Sequence, residues 1–113
     1  TKGQLKDALE AAESARKKFK SSSDAKGEAA ALRAACRVHC ASRPNKDTAK
    51  AALQAAEEAV ALSKKASYDA GEAAGLRQLA KAHLLSKEFQ EAARAAETAL
   101  VKHQAIAGQL GEA

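Results

Sequence analysis

The sequence has little of what large cores, membrane spans and base-stacking surfaces are made from. It has no tryptophan or methionine, one proline and only three aromatic residues, Phe19, Tyr68 and Phe89. It has no apolar run near the roughly 20 residues that a membrane-spanning helix needs, and no signal-peptide pattern. We therefore expect a chain that is soluble or peripherally attached to a membrane, and one that does not bind single-stranded nucleic acid by stacking.

Alanine dominates what is present, with 32 of the 113 residues. It has the highest helix propensity, and the single helix-breaking residue, Pro44, interrupts the chain once, so we expect an all-α protein. Small side chains bury little area per contact, which means that stability must come from many stacked contacts. The net charge of +5 favours an acidic partner, which could be a protein segment, an anionic membrane surface or a nucleic acid.

The chain repeats itself with a period of 40 to 44 residues. A shift of 44 places Gly27-Glu28-Ala29-Ala30 on Gly71-Glu72-Ala73-Ala74, and a shift of 40 places Ala55-Ala56-Glu57 on Ala95-Ala96-Glu97. The four-residue difference falls near Pro44 and is close to one helical turn. A fixed period of this length is typical of proteins built from stacked helical repeats.

Apolar residues recur at three- and four-residue steps between these landmarks, which predicts five helices. Breaks are expected at residues 21–24 and 86–88 and at Pro44. Side chains of the stretch Ser21-Ser22-Ser23-Asp24 should cap the second helix and Asn45 the third, and Asp69 with Glu72 should form a capping box for the fourth. The predicted helices cover residues 5–20, 25–41, 46–66, 69–85 and 88–107.

The hairpin over residues 71–100 carries a characteristic spacing. Ala80 follows Leu79, His83 lies three residues on, and a short hinge leads to Phe89, after which Ala92, Ala96 and Ala99 recur at helical steps. This pattern resembles a tetratricopeptide repeat (TPR). The 40–44-residue period, with Gly-Glu before the first helix, is similar to the extended repeats of kinesin light chains and of scaffolds that orient the mitotic spindle.

The resemblance implies an all-α solenoid, an α-α superhelix of about five antiparallel helices with two complete pairs and a partial repeat at each end. The expected divisions are a partial repeat over residues 1–23, repeats over 24–68 and 69–107, and the start of another over 108–113. Residues 1–5 would then be a hinge, and Gly108 would stop the fifth helix. Ends that fall inside repeats predict a window on a longer solenoid, or ends that a partner protein covers.

Cys36, His39 and Cys40 should share one helix face, and thiolate and imidazole are zinc ligands or a nucleophile and its base. Ala80 and Leu84 replace the two cysteines one repeat later. We therefore interpret the cysteines as packing residues, and we expect no metal, no cofactor and no enzymatic activity. Two cysteines on one helix give no disulfide framework, which favours an intracellular protein, cytoplasmic or organellar.

Four basic residues, here called the basic ladder, occupy equivalent positions in the first helix of each pair. Arg33 and Arg37 correspond to Arg77 and Lys81, and the members of each pair project from one helix face. The TPR resemblance places them on the inner, concave wall, where family members hold extended peptides and some clamp a carboxylate with Lys and Arg. Gln78 would add an amide contact.

These residues predict a non-catalytic protein–protein interaction module that binds an acidic segment or chain terminus of a partner. The ladder could instead be solvated and paired with acids such as Glu28 or Glu72. The chain could also be a structural subunit of a larger assembly, for instance in an organelle. Binding of a nucleic acid or anionic surface is the remaining alternative; the run Arg16-Lys17-Lys18 favours it, although the helix dipole also favours positive charge there.

Overall fold

A computed structural model describes the backbone of residues 2–112 and the side chains of residues 3–109. This part of the chain is all-α, as predicted, with five helices and no strand. Because turns of three or four residues join them, consecutive helices run antiparallel. The helices are α1 (Lys2–Ser21), α2 (Ala25–Ala41), α3 (Lys46–Lys65), α4 (Asp69–Leu85) and α5 (Phe89–Glu112).

The helices form two rows. Each helix packs on the next one in the chain, and α2 also packs on α4. Among the described residues, no Cα atom of α3 comes within 8 Å of one in α1 or α5. Helices α2 and α4 therefore form a close inner row, while α1, α3 and α5 form an outer row whose members are splayed apart.

The core consists of small side chains. Most of its buried members are alanines, and the largest fully buried side chains are Cys36 and Ser63. Small residues let helix axes approach toward the lower end of the roughly 8–10 Å range, so the backbones supply much of the contact. None of the helices in the described part is long and apolar enough to cross a membrane.

The predicted caps of α2 and α3 are confirmed. Asp24 accepts a hydrogen bond from the amide of Gly27 at 3.0 Å, and Asn45 and Thr48 form a reciprocal capping box. The predicted box at the start of α4 is wrong. The N-cap there is Tyr68, which makes no side-chain capping bond, and the carboxylate of Glu72 lies 3.1 Å from Lys102 instead.

Three turns reverse the chain through a residue with left-handed backbone geometry. Ser23, Ser67 and Lys87 have φ angles of 57°, 54° and 59°. At the end of α3, the amide of Tyr68 donates to the carbonyl of Ser63 at 2.8 Å and that of Ser67 to Lys64 at 3.0 Å, which is the Schellman pattern. Ser23 and Ser67 are 44 residues apart, so the repeat extends to the turn geometry.

The ends differ from the expectation. α5 continues through Gly108 to Glu112, so the predicted stop and the sixth helix from residue 111 are wrong as far as the described residues go; Ala113 lies outside them. α1 begins at Lys2, where a hinge was expected, and Thr1 is likewise outside. A glycine within a helix costs only about 1 kcal/mol, so Gly108 alone does not end α5.

Candidate functional site

The structure places most of the basic ladder at the surface of the inner row. Arg37 on α2 and Arg77 and Lys81 on α4 are exposed, whereas Arg33 is half-buried. Arg77 and Lys81 border one hollow of about 330 Å³ between α4 and α5. The charges of Arg37 on α2 and Lys81 on α4 both act to lower the pKa of the Cys36 thiol. Both cations therefore lie near this thiol, at the seam between α2 and α4.

No carboxylate neutralises the ladder. Its four cations form no salt bridge with any described side chain. The acids that the sequence offered as partners are engaged elsewhere, since Glu28 lies 3.7 Å from Nε of Arg16 and Glu72 lies 3.1 Å from Nζ of Lys102. The alternative in which Glu28 or Glu72 pairs with the ladder is therefore wrong, and the exposed ladder residues face solvent.

Gln78 lies inside the molecule, which corrects the expectation that its amide projects into an open groove. The residue is 8 % exposed, and its Oε1 is buried without a hydrogen-bond partner. Its backbone carbonyl accepts from the thiol of Cys36, with 3.8 Å between sulfur and oxygen. Nη1 of Arg33 is also buried and unpartnered. The solvent-facing part of the ladder is thus Arg37, Arg77 and Lys81.

Cys36 is buried and Cys40 half-buried, and both thiols have raised pKa values. Burial raises the pKa of the Cys36 thiol from 9.0 to about 12; Cys40 adds to the rise, while Lys81 and Arg37 oppose it. Burial also raises the pKa of Cys40 and lowers that of His39. Because the thiolate is the reactive and ligating form, these raised pKa values disfavour it at both positions near neutral pH. Cys36 is a core residue and Cys40 packs against the core, as interpreted from the sequence.

A charged cluster joins α1, α2 and α3, and the sequence did not predict it. Nη2 of Arg16 on α1 donates to Oε2 of Glu58 on α3 at 2.9 Å, while its Nε lies 3.7 Å from Glu28 on α2. A hollow of about 200 Å³ is bordered by Arg16 and Glu58 and also by His39 and Glu13. One guanidinium therefore joins three helices. The sequence places Arg16 in a basic run, and no signal there identifies a partner 42 residues away.

Comparison of the chain with models of protein families, with curated proteins and with solved structures gives no match. The resemblance to tetratricopeptide repeats therefore stays a prediction from the residues that carry it. What the site can do must be argued from its own chemistry. Its principal features are cations without partners on two adjacent helices and a hollow bordered by two of them. Within the described residues, no group of three potential metal ligands is present.

Proposed function

We propose that this chain is a non-catalytic, TPR-like protein-interaction module whose inner row binds an acidic segment or the carboxyl terminus of a partner protein. The observation that carries the proposal is the exposure of Arg37, Arg77 and Lys81 on adjacent helices with no acid paired to them among the described residues. Three solvated cations held on a packed scaffold form a patch of positive potential, which steers and orients an anionic partner.

The geometry suits an extended acidic chain better than a single ion. Arg77 and Lys81 lie about one helical turn apart on α4, and Arg37 lies across the seam on α2. An isolated surface ion pair contributes only about 0–1 kcal/mol, so useful affinity requires several carboxylates to contact the patch together. Arginine adds directional, bidentate contacts to a carboxylate, which a lysine cannot make.

A protein ligand is favoured over a nucleic acid by the other side chains available. Arg16, the residue that opens the most basic run, is committed to Glu28 and Glu58. The ring of Tyr68 is covered by Lys26, whose Nζ lies 4.9 Å from the ring centroid. Of the three aromatic side chains only Phe89 is strongly exposed, at 64 %, so there is little surface on which successive bases could stack.

The proposal is tested by reversing the charge at two ladder positions that are exposed, so that the core packing is kept. The double variant Arg37→Glu with Lys81→Glu lowers the net charge by four. The control, Lys17→Glu with Lys50→Glu, lowers it by the same amount at exposed positions of the outer row. The probe is a fluorescein-labelled hexapeptide of alternating glutamate and aspartate, measured by fluorescence anisotropy at about 0.1 M salt. We expect the ladder variant to bind at least tenfold more weakly, or about 1.4 kcal/mol, and the outer-row variant to change much less.

Two results would contradict the proposal. Equal weakening in both double variants would show that binding follows net charge alone, and unchanged binding in a ladder variant that keeps its helical circular dichroism would remove the inner row from consideration. An unlabelled DNA duplex serves as the competing class of ligand. If it displaces the peptide with an affinity that falls steeply with salt, the nucleic-acid alternative gains the weight.

A further inference from the structure

One surface of α4 and α5 is uncovered in the described chain. The packing of α4 on α2 and α3 shows what covers the equivalent surface one repeat earlier. This end face is the part of α4 and α5 that corresponds, one repeat later, to the part of α2 and α3 on which α4 packs. Two large hydrophobic residues are exposed at such positions: Leu84 and Leu100, the counterparts of Cys40 and Val60, are 53 % and 58 % exposed.

A residue-by-residue comparison of α3 and α5, at the shift of 40, separates two stripes. On the stripe that faces the paired inner helix, burial is the same in both, as for Ala59 and Ala99. On the other stripe it is lost in α5. Its members in α3 are Ala56, Val60 and Ser63, which are buried, and their counterparts in α5 are Ala96, Leu100 and His103, which are exposed.

Helix α4 reaches the second stripe of α3 because it presents glycine there. A Cβ atom placed on Gly75 would lie 2.9 Å from Cγ2 of Val60, and one on Gly71 would lie 2.8 Å from Oγ of Ser63. Gly27 of α2 makes the equivalent close contact one repeat earlier, since a Cβ there would collide with the ring of Phe19 on α1. In both pairs an inner helix thus approaches the preceding outer helix through a missing side chain.

We propose that the end face binds one further amphipathic α-helix, which carries glycine or alanine at two positions four residues apart on its apolar side and packs on α4 and α5 as α4 packs on α2 and α3. The end face shares a hollow with the ladder, because Ala96 and Leu100 border it together with Arg77 and Lys81. The inference still has its own evidence, which is the exposed stripe of α5 and the glycine contacts of α4, and its test below contains no acidic ligand. A second folded copy is a poor occupant, since its own α4 is already enclosed by α2, α3 and α5.

The test supplies such a helix in cis and measures thermal unfolding by circular dichroism. A copy of residues 69–85 is joined after Ala113 by eight Gly/Ser residues, which span about 16 Å on average and allow the helix to fold back. A matched chain has leucine at both glycine positions of the copy, corresponding to Gly71→Leu and Gly75→Leu, and leaves the original α4 intact. A third chain carries the unmodified copy with Leu100→Glu, and the unextended Leu100→Glu variant supplies its baseline.

We expect the unmodified copy to raise the melting temperature by about 5 °C or more, and both the leucine copy and Leu100→Glu to abolish the rise. No rise with the unmodified copy would overturn the proposal, and so would an equal rise with the leucine copy, because leucine strengthens the helix but prevents close approach. Light scattering of the unextended chain gives a further check. A dimer that Leu100→Glu converts to a monomer would assign the face to a second copy instead.

Discussion

Helices α3 and α5 have the same alanine pattern but different numbers of neighbours. α3 lies between α2 and α4 and buries two stripes of residues. Within the described residues, α5 packs on α4 alone and buries one stripe, formed by Ala92, Ala95 and Ala99. Val60 is 7 % exposed and its counterpart Leu100 is 58 % exposed. A helix of this type therefore has two apolar sides, and the number of its neighbours decides how many of them contribute to stability.

The same contrast applies to how the two helices end. α3 stops at Lys65, and the chain turns through Ser67 so that α4 can cover the second stripe. The position equivalent to Ser67 in α5 is Ala107, which is still helical. The turn after α3 and the helix that covers its second stripe therefore occur together. For α5, neither is present within the described residues.

The largest test of this contrast inserts a side chain where α4 approaches α3. Gly75→Leu should reduce the free energy of unfolding by about 3 kcal/mol, because the new side chain would collide with Val60 and force the helices apart. The matched change Gly108→Leu in α5 meets no atom within 4 Å and should raise stability by about 0.5 kcal/mol through helix propensity. Urea unfolding followed by circular dichroism measures both. Similar losses at the two positions would mean that the close approach of α4 to α3 does not exist in solution.

A smaller effect is expected from truncating the equivalent apolar residues. Val60→Ala should cost about 2 kcal/mol, since Val60 is buried beneath α4. Leu100→Ala deletes more atoms but should change stability by no more than about 0.5 kcal/mol, because most of that side chain is already in water. The two unfolding curves, recorded at the same low protein concentration, give the difference. If Leu100→Ala proved the more costly, the end face would already be covered in the isolated protein.

The smallest effect concerns the turn. Ser67→Gly should stabilise the protein by about 0.5–1 kcal/mol, because Ser67 has a left-handed backbone that glycine adopts without a Cβ penalty. Ala107→Gly, at the equivalent position of α5, should instead cost about 0.5–1 kcal/mol, since glycine weakens a helix. Thermal melts of the two variants beside the parent chain are sufficient. A stabilising Ala107→Gly would show that α5 turns at this position as α3 does.

Local rules read from the sequence account for most of the fold. The alanine content and the three- and four-residue spacing of apolar residues predicted five helices, and the caps at Asp24 and Asn45 were identified from side chains that bond within three residues of themselves. The basic ladder was found because its members recur at the repeat period. Its residues Arg37, Arg77 and Lys81 are exposed, which the helix pattern alone could not establish.

The features that sequence reasoning predicted wrongly or missed share a physical cause: the burial and partners of a residue depend on neighbours that are distant in the chain. Gln78 follows Arg77 directly, yet it points into the seam with α2 because a step of one residue rotates a side chain by about 100° around the helix. Arg16 resembles any basic residue at a helix end until folding brings Glu58 to within 2.9 Å. Gly108 was a predicted stop, yet a Cβ placed there would meet no described atom within 4 Å, and α5 continues through it to Glu112.

The sequence by itself determined the helical class, the period and the small side chains that let the helices approach closely, because these follow from propensity and spacing within a few turns. The tertiary structure decided which apolar stripe of each outer helix is covered, which cations lack an acid and where α5 ends. Those outcomes depend on contacts between helices, and equivalent residues such as Val60 and Leu100 differ only in whether a further helix lies against them.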